Sequence, residues 1–580
     1  DAAQYSRDGL AILLRECPEI TGVSLRVHGE SGIPEGNYPF WQTLFEAVAK
    51  CGRKVAIDMH AKGIDQTIID IAVRTGQPVT VAPKFSAEHQ SLGYHQADIR
   101  ELEIPTPDRM ETGTFAVSNG ARRFTRYGYA DLYQQGRRYD IIYRLWPGTQ
   151  RHLLSADPAL ARALGRAAHF CGAAGLEVCE PLTFKGREGS GHPGGRNAYA
   201  VKSHPKDWRK FVDNYRLLGR MLYNPDGGDD FWRRALARRH GEGAAAAAQA
   251  LSAASRVLPL LTSASLPSAS NHSLWYEVYT NQPLVAVDKK NAPYTDSPAP
   301  WNFGACSPLD PQLFSSIDEH AGELIAGRVS AKYSPAEVAV WLDGLAHVAE
   351  SGSPALDELV KADVRIQAGL GRFFAAKLRA GLYYALWQQA GDAKAGQRAV
   401  AQYQKARAAW AQLAKEGAVY QADISYGRIP IRRGHWADRL AAIDADIAAV
   451  RAAAAKGGNG DAAKAMTAVA NPATRPRIDC RHDAPAMFTP GSQLPLALAA
   501  PAAVSATLFY RHVNHGERWQ SMAMTRDGTG FGAAIPAAYT GSPYPLQYYF
   551  VPALGGQSVI FPGFSADFST QPYYAVWKRG

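Results

Sequence analysis

Glu30, Glu88 and Glu180 each come just after a short apolar run, and each has histidine, lysine or tyrosine nearby: "LRVHGES", "KFSAEHQSLGYHQ" and "LEVCEPLTFK". Carboxyl groups on either side of one bond are what glycoside hydrolysis requires. One acts as an acid for the leaving oxygen, and the other as base or nucleophile on the opposite face of the sugar. Glu30 is expected as the general acid, its pKa raised by partial burial, and Glu88 as base or nucleophile, with Glu180 competing for that role. The surrounding residues suit a sugar acid. Arg26, Lys84, Arg144 and Lys185 can meet a carboxylate, arginine in two-pronged fashion. His28, His60, His89, Tyr94 and His95 can bond sugar hydroxyls, and Trp146 offers an apolar platform for a ring. Asp58 is a further carboxylate two residues before His60. Glu277, between aromatics in "LWYEVYTN", is expected on a loop closing over the site.

Positioning these groups falls to a repeating pattern in the first 200 residues. Helix-like "YSRDGLAILLREC", "YPFWQTLFEAVAKCG" and "DQTIIDIAVRTG" precede strand-like "ITGVSLRVH", "RKVAIDMH" and "QPVTVAPKF". After a longer insertion, "YDIIYRLWP" is followed by "DPALARALGRAAHFCGAAG" and "LEVCEPLTF". Short, nearly continuous apolar strands separated by amphipathic helices predict a parallel sheet. Repeats that end in polar clusters suggest a (β/α)₈ barrel, whose active groups gather at the C-terminal strand ends. Five strands are read rather than eight, and the chain opens at Asp1 inside an amphipathic helix. The expectation is a partial barrel whose first visible strand is about the fourth. Roughly a hundred residues or more would then be missing from a barrel of about 250.

The predicted organisation runs 1–305 for the barrel part with its active-site loops, 306–455 for an α-helical domain, 456–476 for a linker, and 477–580 for an antiparallel β-sandwich. The helical domain rests on Ala-, Leu-, Arg- and Glu-rich helical periodicity. The sandwich rests on alternation in "ATLFYRHV", "RWQSMAM", "LQYYFVPAL" and "PYYAVW".

The segments "LRVHGES", "KFSAEHQSLGYHQADIR", "YRLWPGTQR", "FCGAAGLEVCEPLTFKGREGSG" and "NHSLWYEVYTNQP" resemble bacterial proteins grouped with α-glucuronidase-type glycoside hydrolases. The resemblance covers about residues 15–450. It implies a barrel followed by a helical domain, and an anionic-sugar substrate.

Bulk properties agree with an enzyme of acidic glycans. The chain has 580 residues and a formal net charge of +10, with 46% hydrophobic and 20% charged residues. That charge favours anionic ligands. Lysine and arginine are scattered, with no nucleic-acid recognition motif, and no apolar run is read as a membrane span. Six cysteines without CxxC spacing give neither a zinc ribbon nor a disulfide framework. "GREGSGHPGGR" lacks the Gly-Lys-Ser/Thr ending of a phosphate loop. The expected partner is a carbohydrate, with no cofactor and no metal, and the helical domain either walls the cleft or mediates homodimerisation. A periplasmic or extracellular location is favoured. Two alternatives stay open: a metal-dependent barrel hydrolase or isomerase using His28, Glu30, Asp58, His60, Glu88, His89 and His95, and a non-catalytic carbohydrate-binding protein.

Overall fold

The computed structural model describes residues 1–85, 90–96, 129, 131–145, 153–178, 207–265, 282–287, 302–305, 308–420 and 434–579; the side chains of Glu30, Asp207, Trp208 and Ala305 lie outside this set. Five parallel strands open the chain: β1 (Gly22–Leu25), β2 (Ala56–His60), β3 (Val79–Ala82), β4 (Asp140–Leu145) and β5 (Gly175–Val178). They pair in sequence order, β1-β2-β3-β4-β5. The accompanying helices start where local chemistry dictates. Asp1 caps α1 (Ala2–Glu16), Asn37 caps α2 (Tyr38–Ala49), Asp65 caps α3 (Gln66–Arg74) and Asp157 caps α4 (Pro158–Ala168). Each cap side chain accepts from a backbone N–H that the helix cannot satisfy itself.

Side-chain alternation gives the sheet two unlike faces. One carries Val23, Leu25, Val27, Ile57, Met59, Val79, Val81, Ile141, Tyr143 and Leu145. It is packed with Leu14 of α1, Trp41, Leu44, Phe45 and Val48 of α2, Ile68 and Ala72 of α3, and Leu164 of α4. Burial of each large aliphatic side chain contributes about 1.5–3 kcal/mol. The other face carries Ser24, Asp58 and Thr80 in one register row, and Arg144 paired with Glu177 further along β4 and β5. Sequential strand order with no reversal keeps helices on one side, as in a barrel wall; a doubly wound sheet reverses its order. Of the expected partial barrel, the structure shows a parallel sheet of five strands in sequential order. Among the described residues β1 and β5 are edges, and closure is not seen.

Helices follow. α5 (Val212–Tyr223), α6 (Asp230–His240) and α7 (Ala244–Ala264) lead to α8 (Ile317–Ile325), α9 (Pro335–Gly352), α10 (Glu358–Ala390), α11 (Ala393–Glu416), α12 (Leu440–Ala454) and α13 (Ala463–Ala470). Ser316 with Glu319, and Ser334 with Glu337, form capping boxes that fix the starts of α8 and α9. The run 230–264 is long and apolar enough to cross a bilayer by composition. The second half of α7 is buried against α9 and α10 in a core that also takes in Phe373, Phe374, Trp410 and Trp436.

The stretch 456–476, predicted as a linker, contains α13. Its Ala465, Met466 and Val469 are buried in the helical core. Asp392 Oδ2 accepts from Ala462 N at 2.8 Å just before it. Beyond it, Arg475 bonds Glu337 and the carbonyls of Ala331 and Lys332, with its guanidinium 4.5 Å from the centre of the Tyr333 ring.

The last hundred residues form two sheets. Strands β7 (Leu494–Ala499), β10 (Thr525–Asp527) and β11 (Gly530–Ile535) make one. Strands β6 (Met487–Phe488), β8 (Ser505–His512), β9 (Gln520–Ala523), β12 (Leu546–Leu554), β13 (Gln557–Ser558) and β14 (Tyr574–Lys578) make the other. Leu496, Leu498 and Phe531 meet Leu508, Tyr548 and Phe550 between them. Pairing is antiparallel except for β6 with β14. The outer face of the larger sheet does not meet solvent alone, since Phe509, Tyr549, Val551 and Trp519 pack on the helical core.

Candidate functional site

The polar face of the parallel sheet is knitted by one arginine. Arg144 Nε donates to Glu177 Oε2 at 2.8 Å, and Nη2 donates to Asp58 Oδ2 at 2.6 Å and Ser24 Oγ at 2.9 Å. Ser24 Oγ also donates to Asp58. The side chains of Asp58 and Arg144 are 24% and 16% exposed, and that of Glu177 52%. Four strands thus contribute to one network, with Arg144 reaching across β3. The pairing of β3 and β4 continues past their ends, through Phe85 N to Arg144 O at 2.8 Å and Arg144 N to Pro83 O at 2.9 Å. This fixes Lys84 beside Arg144.

Just beyond that network, at the strand tips, lie Arg26, His28, His60 and Lys84. His28 is fully buried, His60 is 5% exposed and Lys84 7%. The two imidazoles lie 5.3 Å apart between ring centres, tilted by 55°. Arg26 Nε donates to His28 Nε2 at 3.1 Å. A guanidinium only donates, so Nε2 is the acceptor, and a neutral His28 carries its hydrogen on Nδ1. Burial pushes the His60 pKa well below the usual range, and the neighbouring Lys84, His28, Arg144 and Arg26 push it further in the same direction. Arg26 and Lys84 thus bring positive charge to the tips, where Glu35 is the nearby carboxylate, while Asp58 and Glu177 sit lower, against Arg144.

The turn after β2 holds this cluster together. Gly63 has φ +71°, and a β-carbon there would lie 2.6 Å from Glu35 Oε1 and 2.6 Å from the His28 β-carbon. Only glycine tolerates both the conformation and the approach.

Of the residues singled out by sequence, Arg26, His28, Asp58, His60, Lys84 and Arg144 are brought to the polar face and its tips. Two others go elsewhere. His95 packs on Tyr143, which alternates with Arg144 and so belongs to the helix-covered face. It stacks on Phe170 at 4.0 Å and bonds Ala167 O through Nε2 at 2.7 Å. Tyr94 OH donates to Asp310 Oδ2 at 3.3 Å, and Tyr573 OH donates to the same oxygen at 2.8 Å. Both are junction residues in this fold. The Glu30 side chain, Glu88, His89, Trp146, Glu180, Lys185 and Glu277 lie outside the described residues; the backbone of Glu30 belongs to a single helical turn, Gly29–Ser31, right after β1.

Sequence reading missed three members. Ser24 shares the parity of Arg26, a signal present in the sequence, whereas Glu177 stands opposite Arg144 only through the pairing of β4 with β5. Glu35 carried no signal, because it lies in a loop. Among the described residues no three His, Cys, Asp or Glu side chains converge in a metal-binding arrangement. A shallow hollow at the opposite end of the sheet is lined by Gly52, Arg53, Lys54, Gly76, Gln77 and Pro78. Its Arg53 is engaged with the carbonyls of Ile20, Leu14 and Cys17, which makes it a structural cation.

No family model and no curated protein matches the chain. Among solved structures it is similar to one described as a GH138 enzyme targeting pectin rhamnogalacturonan II, at 12% identity and TM-score 0.57, over 78% of this chain. The chain spans 64% of the length of that structure. At such low identity the likeness is one of fold: an α/β architecture also used by a glycoside hydrolase.

Proposed function

We propose that the protein is a glycoside hydrolase acting on an acidic, uronate-containing glycan. The observation that carries this reading is the collection of Arg26, His28, His60 and Lys84 at the C-terminal ends of parallel strands, on the side away from the helices. In barrel-like sheets that end is where substrates bind, and cations there suit a sugar carboxylate. The fold likeness to an enzyme that targets pectin rhamnogalacturonan II supports the same class. α-Glucuronidase-like cleavage is the finer form of the proposal.

In this reading Glu30, directly after β1, is the general acid. Glu88 is base or nucleophile, with Glu180 as the rival for that role. A separation of about 5–5.5 Å between the two carboxyl groups would make the enzyme retaining, and about 6.5–9.5 Å inverting. His89, Trp146, Lys185 and Glu277 complete the proposed sugar contacts. Asp58 and Arg144 serve beneath them as a brace.

The test is turnover of a panel of uronic-acid glycosides by the protein and by its Glu30→Gln and Glu88→Gln variants. At least a hundredfold loss is expected for each variant. Full activity in either removes that residue from its role, and binding of the glycosides without any turnover replaces the hydrolase by a binding protein.

A further inference from the structure

Two kinds of recognition are separable in the strand-tip cluster. Below it, the Arg144 guanidinium already faces two carboxylates, Asp58 and Glu177, as well as Ser24 Oγ. A third anion there would meet a net negative surrounding, so Arg144 is poorly suited to a ligand carboxylate. One step nearer the tip, on the same face as Asp58, His60 is more than nine-tenths buried, yet its Nδ1 has no hydrogen-bond partner among the described residues. A buried polar nitrogen left without a partner is costly, and such atoms call for an explanation. Burial and the surrounding cations keep this imidazole neutral. A neutral imidazole has one donor and one acceptor nitrogen. It therefore offers a carboxylate no charge attraction, whereas a hydroxyl, which both donates and accepts, can meet Nδ1 in either tautomer.

We infer that His60 reads one hydroxyl group of the bound sugar through Nδ1, so that the site distinguishes sugar acids by a hydroxyl position as well as by charge. This rests on the acidic-glycan reading above. The ring of His28, 5.3 Å away and fixed by Arg26, backs His60 and limits how it can turn. His60 is thereby a specificity-determining residue, distinct from the carboxyl groups that would do the chemistry.

The experiment is isothermal titration of the full chain with D-galacturonate and D-glucuronate, and with the series of their monodeoxy analogues. His60→Ala is expected to weaken the preferred sugar acid at least tenfold, and His60→Gln, which keeps a neutral donor and acceptor, to recover part of the loss. One monodeoxy analogue should bind the unaltered protein as weakly as its parent binds His60→Ala, and should lose nothing more on that substitution. Undiminished binding by His60→Ala and His60→Gln overturns the inference and leaves the glycosidase reading standing. A loss that no monodeoxy analogue shares also overturns it, since His60 would then act only on the shape of the site. Failure of the unaltered protein to bind any sugar acid overturns both.

Discussion

Gly63 shows how one backbone position sets the geometry of the strand tips. It turns the chain after β2 at φ +71° and lets Glu35 and His28 close over it. Gly63→Ala would place a β-carbon 2.6 Å from both neighbours, in a conformation that already costs an L-residue about 1–2 kcal/mol. The expected outcome is a loss of at least about 1 kcal/mol of stability in urea denaturation, with weaker sugar-acid binding, because His28 and His60 must shift. An unchanged midpoint would mean that the turn relaxes freely and does not brace the cluster. The same scale explains why Asp58 and His60, though two residues apart on one strand, differ in role. Asp58 is answered by Ser24 and Arg144. His60 Nδ1 is answered by nothing in the described chain.

Among the elements, the β/α repeat was legible because each link has a local cause. Short apolar strands, capped helix starts and alternation of side chains are all written within a few residues. Parity along a strand even sorts Asp58 and His60 from Ile57 and Met59. It fails once the strand ends: beyond β3, Tyr94 and His95 lie against α4, Phe170 and Asp310. The segment 456–476 misled for a related reason. "KGGNGD" does read as a linker, but the short apolar pattern Ala465, Met466 and Val469 finds a packing partner only in the assembled helical core. Arg475 then ties the chain to α9 and its preceding loop. Arg475→Ala removes a guanidinium paired with Glu337 and two carbonyls, its side chain 22% exposed. A loss of about 1–2 kcal/mol is expected by denaturant titration. A double-mutant cycle with Glu337→Gln should show coupling, and strictly additive losses would argue against the strap.

Across the whole molecule, the sandwich is built into the fold. Gln135 and Lys578 exchange hydrogen bonds, Gln135 Nε2 to Lys578 O at 2.9 Å and Lys578 N to Gln135 Oε1 at 2.8 Å. His515 Nε2 lies 3.1 Å from Gln96 O and its ring 3.7 Å from that of Tyr129. His95 and His515 are both buried at this junction. Burial lowers the His95 pKa to about 3. It pushes His515 well down too, helped by Arg511 and by His95. In the unfolded chain both titrate near 6.5. Between about 3 and 6.5 the unfolded state therefore binds protons that the native state refuses, and stability falls as pH falls through that window. Above it these groups contribute no slope. Melting temperature measured from pH 7 to 4 should drop, and His95→Gln, able to keep a donor for Ala167 O, should flatten the curve. An equal slope in the variant would place the acid sensitivity elsewhere.

Read alone, the sequence determined the kinds of element, their order along the first 200 residues, the alternating texture of the last hundred, and the strand tips as the place where ionisable groups gather. All of these are local, carried by caps, periodicity and side-chain alternation. The tertiary structure decided which of those groups face one another. It put Arg144 between Asp58 and Glu177, sent His95 to the helix-covered side, and shared one apolar core between helices and sandwich. Such choices depend on contacts between residues tens to hundreds of positions apart, where burial and charge pairing act and local pattern has no say.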